Sequence, residues 1–161
     1  MTNKWHSHCN FLEEGATMRK IYEIMTQDVQ VLSLNNSIQE AAKRMKALDI
    51  GILPICDSGK LRGVITDRDI TTRVAALGLH PKDIVVGDIM TSPVIYCYEN
   101  EDIEDVARLM ETKSIRRVVV LDQNKNLVGI MSIGDIAMKS REDIAGEIME
   151  KIYSNKHQVA S

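Results

Sequence analysis

The chain is short of the residues that build disulfide frameworks, metal clusters and nucleic-acid footprints. It has three cysteines, Cys9, Cys56 and Cys97, an odd number spread far apart. Cys56 and Cys97 fall in strand-like runs, so they read as buried free thiols and the compartment as a reducing cytoplasm. His6, Ser7, His8 and Cys9 stand together, but no second ligand cluster completes a four-ligand site. The remaining histidines, His80 and His157, fall in the linker and the C-terminal tail. No Cys–His or Ser–His pair has the spacing of a nucleophilic site, so an enzyme is not expected. A net charge of −3 argues against a nucleic-acid partner. Apolar runs such as Val118-Val119-Val120-Leu121 are far too short to cross a membrane. No basic segment followed by an apolar stretch opens the chain as a secretory signal would. Aromatics are only 4% of residues, and the single tryptophan and phenylalanine, Trp5 and Phe11, both lie in residues 1–17. What remains, 44% hydrophobic and 27% charged over 161 residues, is an ordinary globular composition. The length suits one domain, or two small halves sharing a core.

What the chain does have is an internal repeat. Gly63-Val64-Ile65-Thr66-Asp67-Arg68-Asp69-Ile70 returns as Gly129-Ile130-Met131-Ser132-Ile133-Gly134-Asp135-Ile136. Ile24-Met25-Thr26 returns as Ile89-Met90-Thr91, a shift of 65. At that shift Val29, Asn35, Ile38, Ala42, Met45, Ile50 and Asp57 meet Val94, Asn100, Ile103, Ala107, Met110, Ile115 and Asp122. Beyond Asp57 the shift is 66, which places one added residue in the turn Gln123-Asn124-Lys125-Asn126. An insertion confined to a polar turn is expected of two copies of one folded unit.

Residues 1–17 precede the repeat without helical or strand period and are expected to be a disordered or non-native extension. Glu13-Glu14-Gly15 can be encoded by a purine run resembling a ribosome-binding site, which makes Met18 the expected start. The first copy is assigned to 18–80, the second to 81–139, and a C-terminal helix and tail to 140–161. In the first copy Val29–Leu34 reads as a strand. Ser37-Ile38-Gln39-Glu40 is a capping box, opening a helix with Ile38, Ala41, Ala42, Met45 and Leu48 on its apolar face. Strands Ile52–Cys56 and Leu61–Thr66 flank the turn Asp57-Ser58-Gly59-Lys60. A helix from Asp67 to about Leu77 follows, stopped by Gly78. The linker Gly78–Asp88 is short, so the copies should pack closely. The second copy repeats this order, its first helix starting at Asp102 with Ile103, Val106, Ala107 and Met110 inward. Ser140-Arg141-Glu142-Asp143 is a further box. It opens a helix with Ile144, Ile148 and Ile152 on one stripe, facing the chain's own body or a partner subunit.

In each eight-residue motif the apolar pair suits a buried strand and the hydroxyl residue, Thr66 or Ser132, stands where a helix begins. Asp69 or Asp135 is then the third helical residue, as in a capping box, which by itself is an ordinary structural device. The same geometry suits a ligand. Unpaired N–H groups and the helix dipole favour a phosphate, and a carboxylate one turn in can accept ribose hydroxyls.

Two β-α-β-β-α units, each ending in this motif and each opened by Ile-Met-Thr, resemble a tandem pair of CBS domains, named after cystathionine β-synthase. The likeness covers roughly residues 18–139, and the first motif is also similar to the CBS modules inserted in IMP dehydrogenases, whose catalytic barrel is absent here. The resemblance implies an α+β fold in which the repeats pack as a pseudo-twofold pair, the Bateman module, with two clefts between them. It implies that the clefts bind adenosine compounds: AMP, ADP, ATP, S-adenosylmethionine, NAD or cyclic di-adenosine monophosphate. By position, Asp69 and Asp135 would hold ribose hydroxyls, Thr66 and Ser132 would lie near phosphate or ribose, and Val29, Ile50, Val94 and Ile115 would sandwich adenine. Arg116 and Arg117 stand where the related kinase-associated gamma subunits carry phosphate-binding residues. The alternative for them is a solvated strand edge. The first copy has Gly51 and Ile52 there, with Arg68 as compensation; the counterpart of Arg68, Gly134, cannot serve.

The resemblance therefore implies a regulatory adenosine-ligand sensor, requiring no other cofactor and signalling to a separate effector protein. A structural or dimerising module with empty clefts is the alternative. A homodimer is expected, built on the helices Ser37–Leu48 and Asp102–Glu111 or on those after the motifs.

Overall fold

The computed structural model describes residues 19–139 and 142–157. The expectations for residues 1–17, for Met18 and for Ser140 and Arg141 lie outside the described residues. The order is α1 (Ile21–Ile24), α2 (Ile38–Leu48), β1 (Ile52–Asp57), β2 (Lys60–Thr66), α3 (Asp67–Arg73), α4 (Val86–Ile89), β3 (Tyr96–Tyr98), α5 (Ile103–Lys113), β4 (Arg117–Leu121), β5 (Leu127–Ser132), α6 (Ile133–Lys139) and α7 (Glu142–His157). None of these helices is long and apolar enough to cross a membrane. The architecture is α+β, with one small sheet per copy: β1 antiparallel to β2, and β3-β4-β5 with β3 parallel and β5 antiparallel to β4.

Local sequence accounts for most boundaries. Ser37 caps α2, its hydroxyl accepting from the Glu40 N–H at 3.2 Å while the Glu40 carboxylate accepts from the Ser37 N–H at 3.1 Å. Ser58 and Gly59 both have positive φ, 50° and 75°, the pattern of a tight hairpin turn whose twist matches the strands. In the longer second turn one Asp122 oxygen accepts from the N–H groups of Asn124 and Asn126, both at 2.8 Å. The Asn126 side chain also donates to the carboxyl at 2.8 Å, and Lys125 takes a positive φ of 63°, so the added residue is held within the turn. The Asn126 side chain and these amides hold the Asp122 carboxyl below its ordinary range. Cys97 is buried and its thiol is pushed up to about 12 by desolvation. Cys56 is half-buried and its thiol is raised for the same reason.

Two expectations need correction, and Asp102 takes a role that the sequence did not indicate. Val29–Leu34 is not a strand; it is reduced to one parallel bridge, Leu32 to Ile55. The left-handed Asp28 (φ 56°) precedes it, and Ser33 turns back on Asn36 through the 2.8 Å bond from its N–H to the Asn36 side chain. Asp102 does not cap α5 with its side chain; its carboxylate pairs with Lys20 at 2.9 Å and holds that ammonium above its ordinary pKa. Ala42 and Leu48 face solvent, whereas Ile38, Ala41 and Met45 are buried as expected. The equivalent of Ala42 in the second copy, Ala107, is only 4% exposed. The difference is α7, which lies along α5 and α6 with Ala145, Ile148 and Ile152 buried in the same cluster, and which has no counterpart over α2 among the described residues.

The two copies exchange their leading segments. α1 belongs by sequence to the first copy, yet Ile21, Ile24 and Met25 are buried with Cys97, Ile103, Val118 and Met131 of the second. α4 leads the second copy, yet Val86, Ile89 and Met90 pack with Leu53, Ile55 and Ile65 of the first. Backbone bonds fix the exchange. The N–H groups of Ile21 and Tyr22 reach the carbonyls of Glu101 and Glu99 at 3.1 and 3.0 Å. Those of Val86 and Gly87 reach Asn36 and Leu34 at 2.8 and 3.0 Å. The turn's exposed donors are thereby satisfied. Thr26 then bridges to Ile130, and Thr91 to Val64. The motif glycines make room for this crossing. A Cβ on Gly129 would lie 3.1 Å from Met25 Cγ, and one on Gly63 2.9 Å from Met90 Cγ, with each sulfur closer still.

Gly129→Ala and Gly63→Ala should each destabilise the protein by about 1–3 kcal/mol, the usual cost of overpacking a filled interior. Met25→Ala should be less harmful in the Gly129→Ala background than in the wild type. Urea melts of the four proteins measure the coupling, and strict additivity would remove Met25 as the residue that Gly129 accommodates.

Candidate functional site

Each motif turns from a strand straight into a helix, and its side chains close a small network there. In the first, the Asp69 N–H donates to Thr66 Oγ1 at 3.1 Å, while Asp69 Oδ2 accepts from the Thr66 N–H at 2.9 Å and from its hydroxyl at 2.7 Å. In the second, Ser132 and Asp135 repeat these bonds at 3.1, 2.9 and 2.6 Å. Both aspartates are largely buried, with side chains 12% and 13% exposed. The capping role read from the sequence is therefore real, and it occupies only one oxygen of each carboxylate.

The other oxygen meets a basic residue one helical turn on. Arg73 Nη2 lies 3.0 Å from Asp69 Oδ1, and Lys139 Nζ lies 3.2 Å from Asp135 Oδ1. The same cations reach across to the exchanged segments. Arg73 donates to the Ile89 carbonyl at 2.6 Å and to Thr91 Oγ1 at 3.1 Å, and Lys139 donates to the Ile24 carbonyl at 2.9 Å. Sequence reasoning missed these two residues, although the signal existed: both are basic, four residues past the motif aspartate, and related by the shift of 66.

Two clefts open at the seam, each lined from both copies. One, of about 280 Å³, combines Thr66, Arg68 and Asp69 with Val94, Ile115, Arg116 and Arg117. The other, of about 330 Å³, combines Ser132 and Asp135 with Val29 and Ile50, and Arg117 reaches it too. Small-molecule pockets run from roughly 300 to 1,000 Å³, so both clefts stand at the small end of that range. Every residue singled out from the sequence thus lines one cleft or the other. The structure adds pairings that the sequence left open: each motif faces the apolar pair of the opposite copy. Arg116 and Arg117 belong to the second copy, but both line the cleft built on the first copy's motif.

The charge of the clefts differs sharply. The Asp69 cleft carries Arg68, Arg116 and Arg117 against Asp67 and Asp69. The Asp135 cleft carries Arg117 against Asp28, Asp49 and Asp135. The difference comes from Arg68, whose counterpart is Gly134, and from Asp28 and Asp49, whose counterparts are Pro93 and Ser114. Arg116 and Asp67 offset one another within the Asp69 cleft, through a matched exchange. A Cβ on Gly51 would lie 2.9 Å from the Asp67 carboxylate, so the glycine makes room for that acid. In the second copy the same two positions are Arg116 and Ile133, whose backbones make the equivalent bond, Ile133 N–H to Arg116 carbonyl at 3.1 Å. The first cleft can hold an anion beside an apolar, ring-sized slot. The second is suited to a ligand with hydroxyls and little negative charge.

Comparison with known proteins places these features in a family. The CBS domain model matches residues 21–76 and 86–142. A CBS domain-containing protein of Bacillus subtilis, YhcV, is 36% identical over 142 residues, covering 87% of this chain and 100% of that protein. The CBS domain pair of MJ0100, crystallised with 5′-methylthioadenosine and S-adenosyl-L-methionine, is 36% identical with a TM-score of 0.66, over 74% of this chain and 94% of the other. CBSX2 in complex with AMP is 26% identical with a TM-score of 0.62, over 73% and 93%.

Removing a motif carboxylate should cost stability even without ligand. Asp69→Ala and Asp135→Ala each lose the carboxylate half of a capping box, about 1–2 kcal/mol, or about 2–8 °C in melting temperature for a chain of this size. Asp57→Ala, at the end of β1 where Asp57 meets Arg62 at 3.3 Å and the Ser58 hydroxyl at 3.4 Å, should fall within about 0.5 kcal/mol of wild type. Thermal melts of the three variants test this, and equal shifts would argue against the caps.

Proposed function

The chain belongs to the CBS domain family, and from that premise we propose that it is a regulatory module that binds adenosine compounds in both clefts and signals to a separate effector protein. The observation that carries the reading is the composition of each cleft: a motif carboxylate from one copy facing an apolar pair from the other. In this reading Asp69 and Asp135 accept ribose hydroxyls, and adenine lies against Val94 and Ile115 in one cleft and Val29 and Ile50 in the other. Arg68, Arg116 and Arg117 take the phosphates of AMP, ADP or ATP in the Asp69 cleft, since planar guanidinium forks suit phosphate oxygens. The AMP and adenosyl complexes of the two relatives support an adenosine ligand. The module is read as a non-enzymic cytoplasmic homodimer. With α7 lying over α5 and α6, the α2–α3 side is the face left for pairing, and light scattering at micromolar concentration should return twice the chain mass.

A second reading, a structural module with empty clefts, has one observation in its favour: both motif carboxylates are already satisfied within the chain. A thermal-shift panel of adenosine, AMP, ATP and S-adenosylmethionine separates the two. Ligand at a hundred times its dissociation constant should add about 2.7 kcal/mol, and a flat panel would favour the empty module. If a ligand binds, the double variant Arg116→Ala, Arg117→Ala should weaken AMP and ATP far more than adenosine and flatten the salt dependence. Calorimetry showing the same loss for all three would return these arginines to a plain strand edge.

A further inference from the structure

The reading above leaves two basic residues without a role. Arg73 and Lys139 are not needed to cap their helices, since Thr66 and Ser132 do that. Each nevertheless stands between the carboxylate of a cleft and the backbone of an exchanged segment.

The hydrogen-bonding capacity of the carboxylates fixes what a ligand can meet. A carboxylate oxygen has two good acceptor positions. Asp69 Oδ2 has both filled, by the Thr66 N–H and hydroxyl. The Thr66 hydroxyl has spent its one proton on that bond and accepts from the Asp69 N–H. Among the described residues Asp69 Oδ1 meets only Arg73, at 3.0 Å, so it keeps an acceptor position, and Asp69 lines the cleft. A ribose hydroxyl therefore shares Oδ1 with Arg73 instead of displacing it. Through that cation the hydroxyl is joined to the Ile89 carbonyl at 2.6 Å and Thr91 Oγ1 at 3.1 Å. Those atoms belong to the last residue of α4 and to the segment just after it, which closes the first copy's core through Val86 and Met90.

We infer that Arg73 and Lys139 are positioning residues that couple each cleft to the seating of the segment exchanged from the opposite copy. Ribose on Asp69 holds the carboxylate in the rotamer that anchors Arg73, and Arg73 in turn holds Ile89–Thr91 against β2. At the second motif Lys139 ties Ile24–Thr26 to the carboxylate, with bonds to Asp135 Oδ1 at 3.2 Å and the Ile24 carbonyl at 2.9 Å. There the Thr26 hydroxyl also donates to Asp135 Oδ1, at 3.5 Å, so a ribose hydroxyl competes with that long bond and not with Lys139. The sign follows from sharing. A ligand tightens the segment, and an unclamped carboxylate binds ribose less well. The device is doubled: residues 73 and 139, and carbonyls 24 and 89, are related by the same shifts that relate the two motifs. The leading segments are thus the parts of the fold whose seating occupancy of a cleft changes. The inference rests on the adenosine-binding reading, and its test separates the two.

The readout is amide hydrogen exchange by NMR on the full chain. The probe amide is Thr91, whose N–H donates to the Val64 carbonyl at 2.8 Å, with Met45 in α2 as the reference for global stabilisation. Saturating AMP should slow exchange at Thr91 several-fold more than at Met45. In Arg73→Met the extra protection at Thr91 should vanish and AMP affinity should fall about tenfold, while Arg73→Lys keeps most of both. Lys139→Met should leave the AMP effect at Thr91 intact, which a general loss of stability would not do. A rise in melting temperature with AMP but no extra protection at Thr91 overturns the coupling alone. Equal loss of the Thr91 effect in Arg73→Met and Lys139→Met does the same. A melting temperature that none of adenosine, AMP, ATP and S-adenosylmethionine moves removes the adenosine reading, and the coupling with it.

Discussion

The crossing of the two leading segments is the constraint on which the rest of the structure depends. Neither copy closes its own core: α1 completes the second and α4 the first. Each crossing carries an apolar turn into a filled interior, so a side chain on the receiving strand has to be absent. That is the physical demand on Gly63 and Gly129 beneath Met90 and Met25. Burial of these side chains is worth roughly 1.5–3 kcal/mol each, so the exchange binds the copies more firmly than any surface ion pair could.

The clefts are a consequence of that crossing. Once Thr91 bridges to Val64, residues 93–95 run past the first motif, and once Thr26 bridges to Ile130, residues 28–30 run past the second. Each cleft is walled by both copies because the chain has changed sides. The repeat therefore supplies two sites of one shape, and substitutions at a few equivalent positions give them different charge. Arg68 against Gly134, and Asp28 and Asp49 against Pro93 and Ser114, set that difference. Gly51 with Asp67 and Arg116 with Ile133 are instead matched changes: a carboxylate fits where the neighbouring side chain is missing, and an apolar residue stands where the neighbour is long. Two sites of common geometry and unlike charge can report on two related ligands, or on one ligand at two concentrations.

The C-terminal helix breaks the symmetry in a different way. By lying along α5 and α6 it buries Ala107 and leaves Ala42, its equivalent, in solvent. An assembly that paired both copies through equivalent helical faces would have to move α7, whereas one using the first copy's face would not. The ion pair of Lys151 with Glu111, at 2.9 Å, adds a second tie of α7 to α5 beyond its buried stripe.

Much of this was legible in the sequence. Repetition at a fixed shift identified two copies of one unit, and capping boxes with turn residues located α2, β1, β2 and the start of α3 within a residue or two, because those signals act over three or four residues of chain. The expected end of α3 near Leu77 was four residues late: the helix stops at Arg73 and a separate 3-10 turn, Ala75–Leu77, follows. The paired motifs named the carboxylates, and position named the apolar and basic residues that share their clefts. What failed was of another kind. Val29–Leu34 has strand composition but shrinks to one bridge, since Asp28 and the Ser33–Asn36 turn leave no length for pairing. Ala42 and Leu48 have helical spacing but no cover, and spacing cannot tell whether a neighbour exists. Only the tertiary structure decided which leading segment closes which core, which wall faces which motif, and that Arg73 and Lys139 reach carbonyls 16 and 115 residues away. The reason is physical: local hydrogen bonding is written in neighbouring residues, whereas the partner of a crossing segment is set by which interior it fills, and the two interiors of a repeat look alike from the chain.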